Sequence, residues 1–343
     1  MSSVESITKN TVEVIELEEL RALLEKKERK AYMGIEPSGL LHIGFLICAK
    51  KIAEMIDLGF DFTVLLADWH AYINDKLGGN MKSIKVCGEY IKDFFTALGI
   101  RPHFMYASDM VDDSSYWEKV IRIAKNVSLA RIRRAMTIMG RREDEEVQDA
   151  AKYFYPAMQV ADIFHLGVDV ALGGMDQRRA HMLARDIAEK MGWKKVIAIH
   201  TPILSSLKGG TRMDFAQKMS KSDPSSCIFV HDEYEEIERK IGSAYCPKEV
   251  VEGNPVIEVW KYILFPYLGG NLVLERDRKF GGDVVFGDYN ELEKDYMEGK
   301  VHPADLKKNT AMHLDKILSP IRKYYEEYPD NFEKVKEIIS IKR

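Results

Sequence analysis

Tyr32, Glu36, His42 and Gly44 fall within one stretch, Tyr32-Met33-Gly34-Ile35-Glu36-Pro37-Ser38-Gly39-Leu40-Leu41-His42-Ile43-Gly44-Phe45. An apolar, β-prone run breaks at Pro37-Ser38-Gly39 and enters an amphipathic helix near Leu41, which places His42 and Gly44 on a helix's first turn. Free N–H groups and the helix dipole favour an anion there. His42 can donate to a phosphate oxygen, and Gly44 leaves room for a flat ring or a ribose. The same stretch also suits a plain strand-to-helix turn with a surface histidine. A second group is Tyr155, Gln159 and Asp162, at i, i+4 and i+7, one polar face of an otherwise apolar helix that Pro156 is expected to open. Buried polar groups need partners, so this face is either an internal hydrogen-bond network or a pocket for a small polar ligand. A third is Gly173-Gly174-Met175-Asp176-Gln177, where glycines after a strand let backbone approach a ligand and Asp176 can hold ribose hydroxyls. The fourth is Lys218-Met219-Ser220-Lys221-Ser222, whose lysines can reach a triphosphate and stabilise charge that grows in a transition state.

The elements that must position these residues alternate. Residues 11–29 read as a mixed-charge helix before the opening strand. A helix over 41–58, a mostly apolar strand over 61–68, a helix over 83–98 and a strand over 103–106 follow, as in buried parallel sheets. Strands over 168–172 and 195–200 resume the pattern after a helical insertion at about 109–166. The fold class is α/β: a doubly wound parallel (Rossmann-like) sheet with that insertion and a mainly helical C-terminal domain. The boundary is expected near 230, giving domains 1–230 and 231–343, with a mobile lysine loop at about 204–226. Within the insertion, Lys119 to Arg142 holds eight basic residues and no acidic one, followed by Glu143-Asp144-Glu145-Glu146. The basic run either contacts phosphates or forms a solvated face paired with that acidic run.

The 343 residues carry a net charge of −4, which argues against a protein wrapped in nucleic acid but not against a local basic face. No run of eighteen apolar residues appears, so no membrane span is expected. The acidic N-terminal segment lacks the apolar core of a signal peptide, so a cytoplasmic location is expected. Cys48, Cys87, Cys227 and Cys246 are too far apart for a zinc pattern.

His42-Ile43-Gly44-Phe45 and Lys218-Met219-Ser220-Lys221-Ser222 resemble the two hallmarks of class I aminoacyl-tRNA synthetases. The text around them, with 66–72, 155–162, 173–178, 244–247, 251–255 and 302–306, is similar to tyrosyl-tRNA synthetases of the archaeal and eukaryotic type over roughly residues 10–325. The resemblance implies ligation of tyrosine to tRNA(Tyr) through tyrosyl-adenylate, with ATP and Mg²⁺ as substrate and no permanently bound cofactor. It implies that Tyr32 and Asp162 meet the phenol hydroxyl, and that Tyr155, Gln159 and Gln177 hold the amino group, with Glu36 beside them. It also implies that His42, Gly44, Asp176, Met219 and Lys221 serve ATP, with His42, Lys218 and Lys221 catalytic. Arg134 and Arg178 correspond to readers of the acceptor stem; Phe280, His302 and Asp305 to positions near the anticodon. Family members are homodimers through the insertion. One departure stands out: the second histidine of the first hallmark is Phe45, which implies slower adenylation unless His70 or the lysine loop compensates. A tryptophanyl relative of the same class, or a non-catalytic tRNA-binding paralogue, stays open at this point.

Overall fold

The computed structural model describes residues 3–140, 149–209, 218–219, 221 and 223–341. The acidic run at 143–146, Arg141, Arg142, Ser220 and Ser222 lie outside them. Compactness divides the chain into two units, Met1–Gly39, Lys51–Pro202 and Asp330–Arg343 against Leu40–Lys50 and Ile203–Pro329.

The first unit holds the strands β1 (Glu13–Ile15), β2 (Lys30–Ile35), β3 (Asp61–Leu66), β4 (His103–Tyr106), β5 (Val170–Gly174) and β6 (Ile197–Thr201). They form one sheet in the order β1-β6-β5-β2-β3-β4. β2 to β6 pair in parallel and β1 runs antiparallel on the β6 edge. Val64, Leu65, Leu66, Val170, Ala171, Ala198 and Ile199 are buried, as expected for strands covered by helices on both faces. Strand order reverses between β2 and β5, the switch point where open α/β sheets bind ligands beyond the strands' carboxyl ends. Tyr32 on β2 lies opposite Ala171 on β5 at this junction.

Several elements differ from expectation. The segment over 11–29 is not one helix: β1 occupies Glu13–Ile15 and a helix only Leu17–Leu24. Backbone pairing of Glu13, Val14 and Ile15 with His200, Ile199 and Ala198 overrides the local helical pattern. The helix after the first hallmark starts at Gly44 and ends at Asp57, so His42 precedes it instead of sitting on its first turn. Pro156 lies inside the Ala151–Leu166 helix, not at its start. The insertion is helical over its described residues: Ser108–Val111, Ser114–Lys125, Leu129–Ala135 and the long Ala151–Leu166.

The compact units also do not coincide with a single cut near 230. The Ile43 N–H donates to Ile228 O at 2.9 Å and the Val230 N–H to Leu41 O at 3.0 Å, which ties residues 40–50 to the later chain. The Asp330–Ser340 helix belongs to the first unit, where Phe332 stacks on Tyr90 and Asn331 donates to Asp93 at 2.9 Å. In the second unit Tyr234–Ser243 packs on Pro303–Glu327. A two-stranded hairpin, β7 (Leu272–Leu274) with β8 (Val284–Phe286), precedes that long helix. Among the described residues no helix is long and apolar enough to cross a membrane.

Candidate functional site

In the first unit, the loop after β2 brings Glu36 to Tyr155. The Tyr155 hydroxyl donates to Glu36 Oε1 at 2.6 Å. Asn74 donates to the same carboxylate at 3.0 and 3.2 Å and to Met139 O at 2.9 Å, and Lys76 Nζ stands 3.5 Å away. One turn along the Tyr155 helix, Gln159 Nε2 donates to Gln177 Oε1 at 3.0 Å, and Gln177 Nε2 donates to Ile138 O at 3.3 Å. Gln159 Oε1 is buried, with no hydrogen-bond partner among the described residues. Burial, then the Glu36 charge, raises the Tyr155 pKa, so its hydroxyl stays protonated. Having donated to Glu36, it still offers lone pairs. Glu36, Tyr155, Gln159 and Gln177 therefore form one acceptor-rich cluster. Gly173 makes room for it: a Cβ there would lie 3.0 Å from the Gln177 Cβ and 3.2 Å from the His181 ring.

Two turns beyond Tyr155 on the same helix, Asp162 is 2% exposed. The Tyr116 hydroxyl donates to its Oδ1 at 2.9 Å, and His70 Nε2 lies 3.2 Å from its Oδ2, off the angle of an aligned bond. The Tyr155 and His70 rings meet edge-to-face at 4.9 Å. Tyr32 packs in the same apolar cluster as Tyr116, Leu65, Met158 and Ala161, and burial, followed by the Asp162 charge, pushes its pKa well up. For His70, burial acts downward and is the largest influence. Asp162, with Glu36 and Asp68, outweighs it, and the net shift is upward. This ring is thus held against Asp162 and Tyr155. Tyr116 and Asn74 escaped the sequence reading. Tyr116 had a signal, an apolar stripe with Val120 and Ile123 inside a basic helix, all three now buried; Asn74 had none.

In the second unit, His42 bridges antiparallel to Phe229. The Gly44 N–H donates to His42 Nδ1 at 3.1 Å, so the ring proton is on Nε2 and available to a phosphate oxygen. The space beside Gly44 is filled by this ring instead of lying open for a ribose: a Cβ at Gly44 would lie 2.7 Å from His42 Cε1. Burial, then Lys221 and Lys218, lowers the His42 pKa to about 3, so it is neutral at physiological pH. Phe45 meets the His42 ring edge-on at 5.3 Å, and Lys221 Nζ sits 5.5 Å from the Phe45 ring centre. Lys218 bridges to Ser205, and the buried Met219 donates its N–H to Leu204 O at 3.0 Å. Ser205 is itself clamped by the buried Glu258 through N–H and hydroxyl at 2.8 and 3.0 Å.

The remaining expected residues are spread out. Asp176, in the Met175–Gln177 turn, is half-buried. Arg134 is exposed on the Leu129–Ala135 helix. Arg178 opens the Arg178–Met191 helix, its Nε 2.5 Å from Glu13 Oε1, and that same oxygen faces His200 Nδ1 at 2.9 Å. Of the basic run, Arg122 pairs with Glu118 and Arg131 with Asp186. Phe280 is 62% exposed before Gly281, with Lys279 over its ring. His302 caps the Pro303–Glu327 helix, accepting from the Ala304 N–H at 3.2 Å, and Asp305 lies in that helix's first turn.

Residues 24–319 match the family described as tRNA synthetases class I (W and Y). The chain is 53% identical to the tyrosine–tRNA ligase of Saccharolobus solfataricus, over 97% of this chain and 94% of that one. It is 54% identical to that of Sulfurisphaera tokodaii, over 93% and 91%. Among solved structures it is similar to the tyrosyl-tRNA synthetase of Aeropyrum pernix, with a TM-score of 0.88 and 45% identity over 98% of each chain. It is also similar to that of Pyrococcus horikoshii complexed with L-tyrosine, with a TM-score of 0.91 and 39% identity over 98% of each. The sheet with its switch point, the polar helix beneath it and the matches over nearly the whole length agree: the chain belongs to the class I tRNA synthetases of the tryptophan and tyrosine family, and within it to the archaeal-type tyrosine–tRNA ligases.

Proposed function

We propose that this enzyme binds L-tyrosine in the first unit's buried polar cluster, with Tyr155, Gln159 and Gln177 taking the ammonium beside Glu36, and Tyr32 and Asp162 taking the phenol hydroxyl. The observation that carries the reading is Gln159 Oε1, a buried acceptor without a partner among the described residues. Such an atom costs roughly 1–3 kcal/mol, and an ammonium is the donor it lacks. The Tyr32/Asp162 pair favours a phenol over an indole, because a phenol hydroxyl can donate to Asp162 and accept from Tyr32, whereas an indole N–H only donates. Rejection of phenylalanine by a site built for a hydroxyl is on the order of 10⁴–10⁵-fold; that figure is the established value for tyrosine-specific enzymes of this kind and does not come from these distances.

His42, Asp176, Met219, Lys218 and Lys221 are assigned to ATP, with Gly44 serving it only by seating the His42 ring: His42 Nε2–H and the lysines to its phosphates, Asp176 to its ribose. The tyrosine carboxylate attacks the α-phosphorus, the bond to the bridging oxygen breaks, and pyrophosphate leaves. The terminal ribose hydroxyl of tRNA(Tyr) then attacks the adenylate carbonyl and AMP leaves. No protein nucleophile is required; orientation and charge stabilisation carry the rate. Among the described residues no cluster of three or more His, Cys, Asp or Glu could hold a metal ion, and magnesium is assigned to the ATP phosphates it enters with.

Arg134 and Arg178 are assigned to the acceptor stem, and Phe280, His302 and Asp305 to the anticodon, where an exposed ring can stack on a splayed base. Residues from about 231 onward would then serve mainly anticodon recognition. Arg178 must share or release Glu13 to act. A cytoplasmic homodimer is the proposed working form, supported by the exposed Ile121 and Leu129 of the insertion; sedimentation at the mass of two chains is expected, and a one-chain mass at working concentration counts against it. The deciding experiment is ATP–pyrophosphate exchange across the twenty amino acids. Tyrosine alone should give strong exchange, and a larger response to tryptophan overturns the assignment. In the same assay Arg134→Ala should keep exchange intact while tRNA charging falls roughly tenfold or more; equal losses in both would remove Arg134 from the stem.

A further inference from the structure

We infer that Tyr116, delivered from the insertion, is a positioning residue for substrate specificity: it fixes the Asp162 carboxylate so that one chosen lone pair meets the incoming phenol. The inference rests on the assignment of Asp162 to the phenol hydroxyl. Tyr116 is completely buried in the Ser114–Lys125 helix. Its ring is locked edge-on between Trp117 at 5.9 Å and His165 at 5.4 Å. Its hydroxyl has one charged acceptor, Asp162 Oδ1 at 2.9 Å, with Met158 O farther off at 3.4 Å. Burial, then Asp162, raises the Tyr116 pKa, so the hydroxyl remains a donor.

On the other oxygen, His70 Nε2 stands 3.2 Å away but misaligned, and among the described residues neither His70 ring nitrogen has an aligned hydrogen-bond partner. Asp162 is therefore braced firmly on one oxygen and more loosely on the other. A carboxylate has about four lone-pair sites. With Oδ1 committed to Tyr116, Oδ2 is the oxygen left to accept from substrate. Without the brace the carboxylate can rotate, and the distinction between a ligand that donates and one that does not weakens. The insertion would thus contribute to amino-acid choice as well as to any role in assembly.

The test is Tyr116→Phe, which deletes one oxygen and keeps the ring packing. Exchange kinetics with tyrosine and phenylalanine should show the tyrosine-over-phenylalanine ratio of kcat/KM falling about tenfold or more, the size of a hydrogen bond to a charged group. The loss should sit in KM for tyrosine, with KM for ATP unmoved and the thermal midpoint lowered by only the few degrees that one lost hydrogen bond implies. An unchanged ratio, or a fall matched by an equal rise in KM for ATP, overturns the brace. Asp162→Asn is measured alongside: if it too leaves the ratio unchanged, the phenol assignment has failed, and not only the role of Tyr116.

Discussion

Asp162→Ala should reduce kcat/KM for tyrosine on the order of 10²–10³-fold while tRNA affinity stays within about twofold. The size follows from what the substitution strands. Asp162 accepts from Tyr116 at 2.9 Å in a site 2% exposed, and by the assignment above it also accepts from the substrate's phenol. A hydrogen bond to a charged group contributes about 1.5–3 kcal/mol, and each buried donor left unpaired costs about 1–3 more. Together that spans roughly two to four decades at 1.36 kcal/mol per decade, and because the Tyr116 donor is stranded with or without substrate, only the lower part of it reaches kcat/KM. The fold should survive, because the loss of the Tyr116 bond is partly offset by removal of the buried carboxylate's own desolvation penalty, and His70 can shed its proton. His70 should report the change: its pKa is held up by Asp162 against burial, so in the variant it should fall, and an NMR titration of the ring should follow that fall. If tRNA binding is lost in proportion, or if the protein unfolds, Asp162 is a structural residue and the phenol assignment is wrong.

The parallel sheet was readable because its strands are short apolar runs between amphipathic helices. β4 runs from His103 to Tyr106 as its residues imply, and the helix expected over 83–98 is Met81–Ala97. Tyr155, Gln159 and Asp162 lie on one helix, in keeping with their spacing, and two of them bond Glu36 and Gln177 as a group. What escaped was non-local. β1 is three residues whose strand state exists only through pairing with β6, and periodicity around Glu13 cannot report that. Asn74 reaches Glu36 and Met139 across 38 and 65 residues of chain. Gly44 reads as space for substrate; its space belongs to the ring of His42 two residues earlier. A single boundary near 230 does not anticipate that residues 40–50 bond residues 228–230 and that the final helix returns to the first unit. Apart from the short-range contact at Gly44, these features join segments far apart in sequence, and no local pattern encodes the partner.

Lys221→Ala should lower kcat for adenylate formation by about 10²–10³-fold, with KM for ATP changed less than about threefold. The Lys221 ammonium sits 5.5 Å from the centre of the Phe45 ring. A cation–π contact of that kind contributes about 0.5–1 kcal/mol at an exposed site and about 2 when desolvated. A charge-stabilising donor aimed at a leaving group is worth about 2.7–4 kcal/mol in the transition state. The contact with the leaving group is the stronger of the two, so Phe45 can hold Lys221 without withholding it from pyrophosphate. The replacement of the hallmark's second histidine has a second consequence. A phenyl ring offers the phosphates no N–H, and His42, with a pKa of about 3, contributes a neutral donor and no positive charge. On the ATP assignment proposed above, the burden of growing negative charge then falls on Lys221 and Lys218. Steady-state exchange with varied ATP separates the possibilities. A loss confined to kcat is the signature of an interaction made only in the transition state, whereas a rise in KM with kcat kept would mean Lys221 merely binds ATP, and the catalytic role assigned to it would fall.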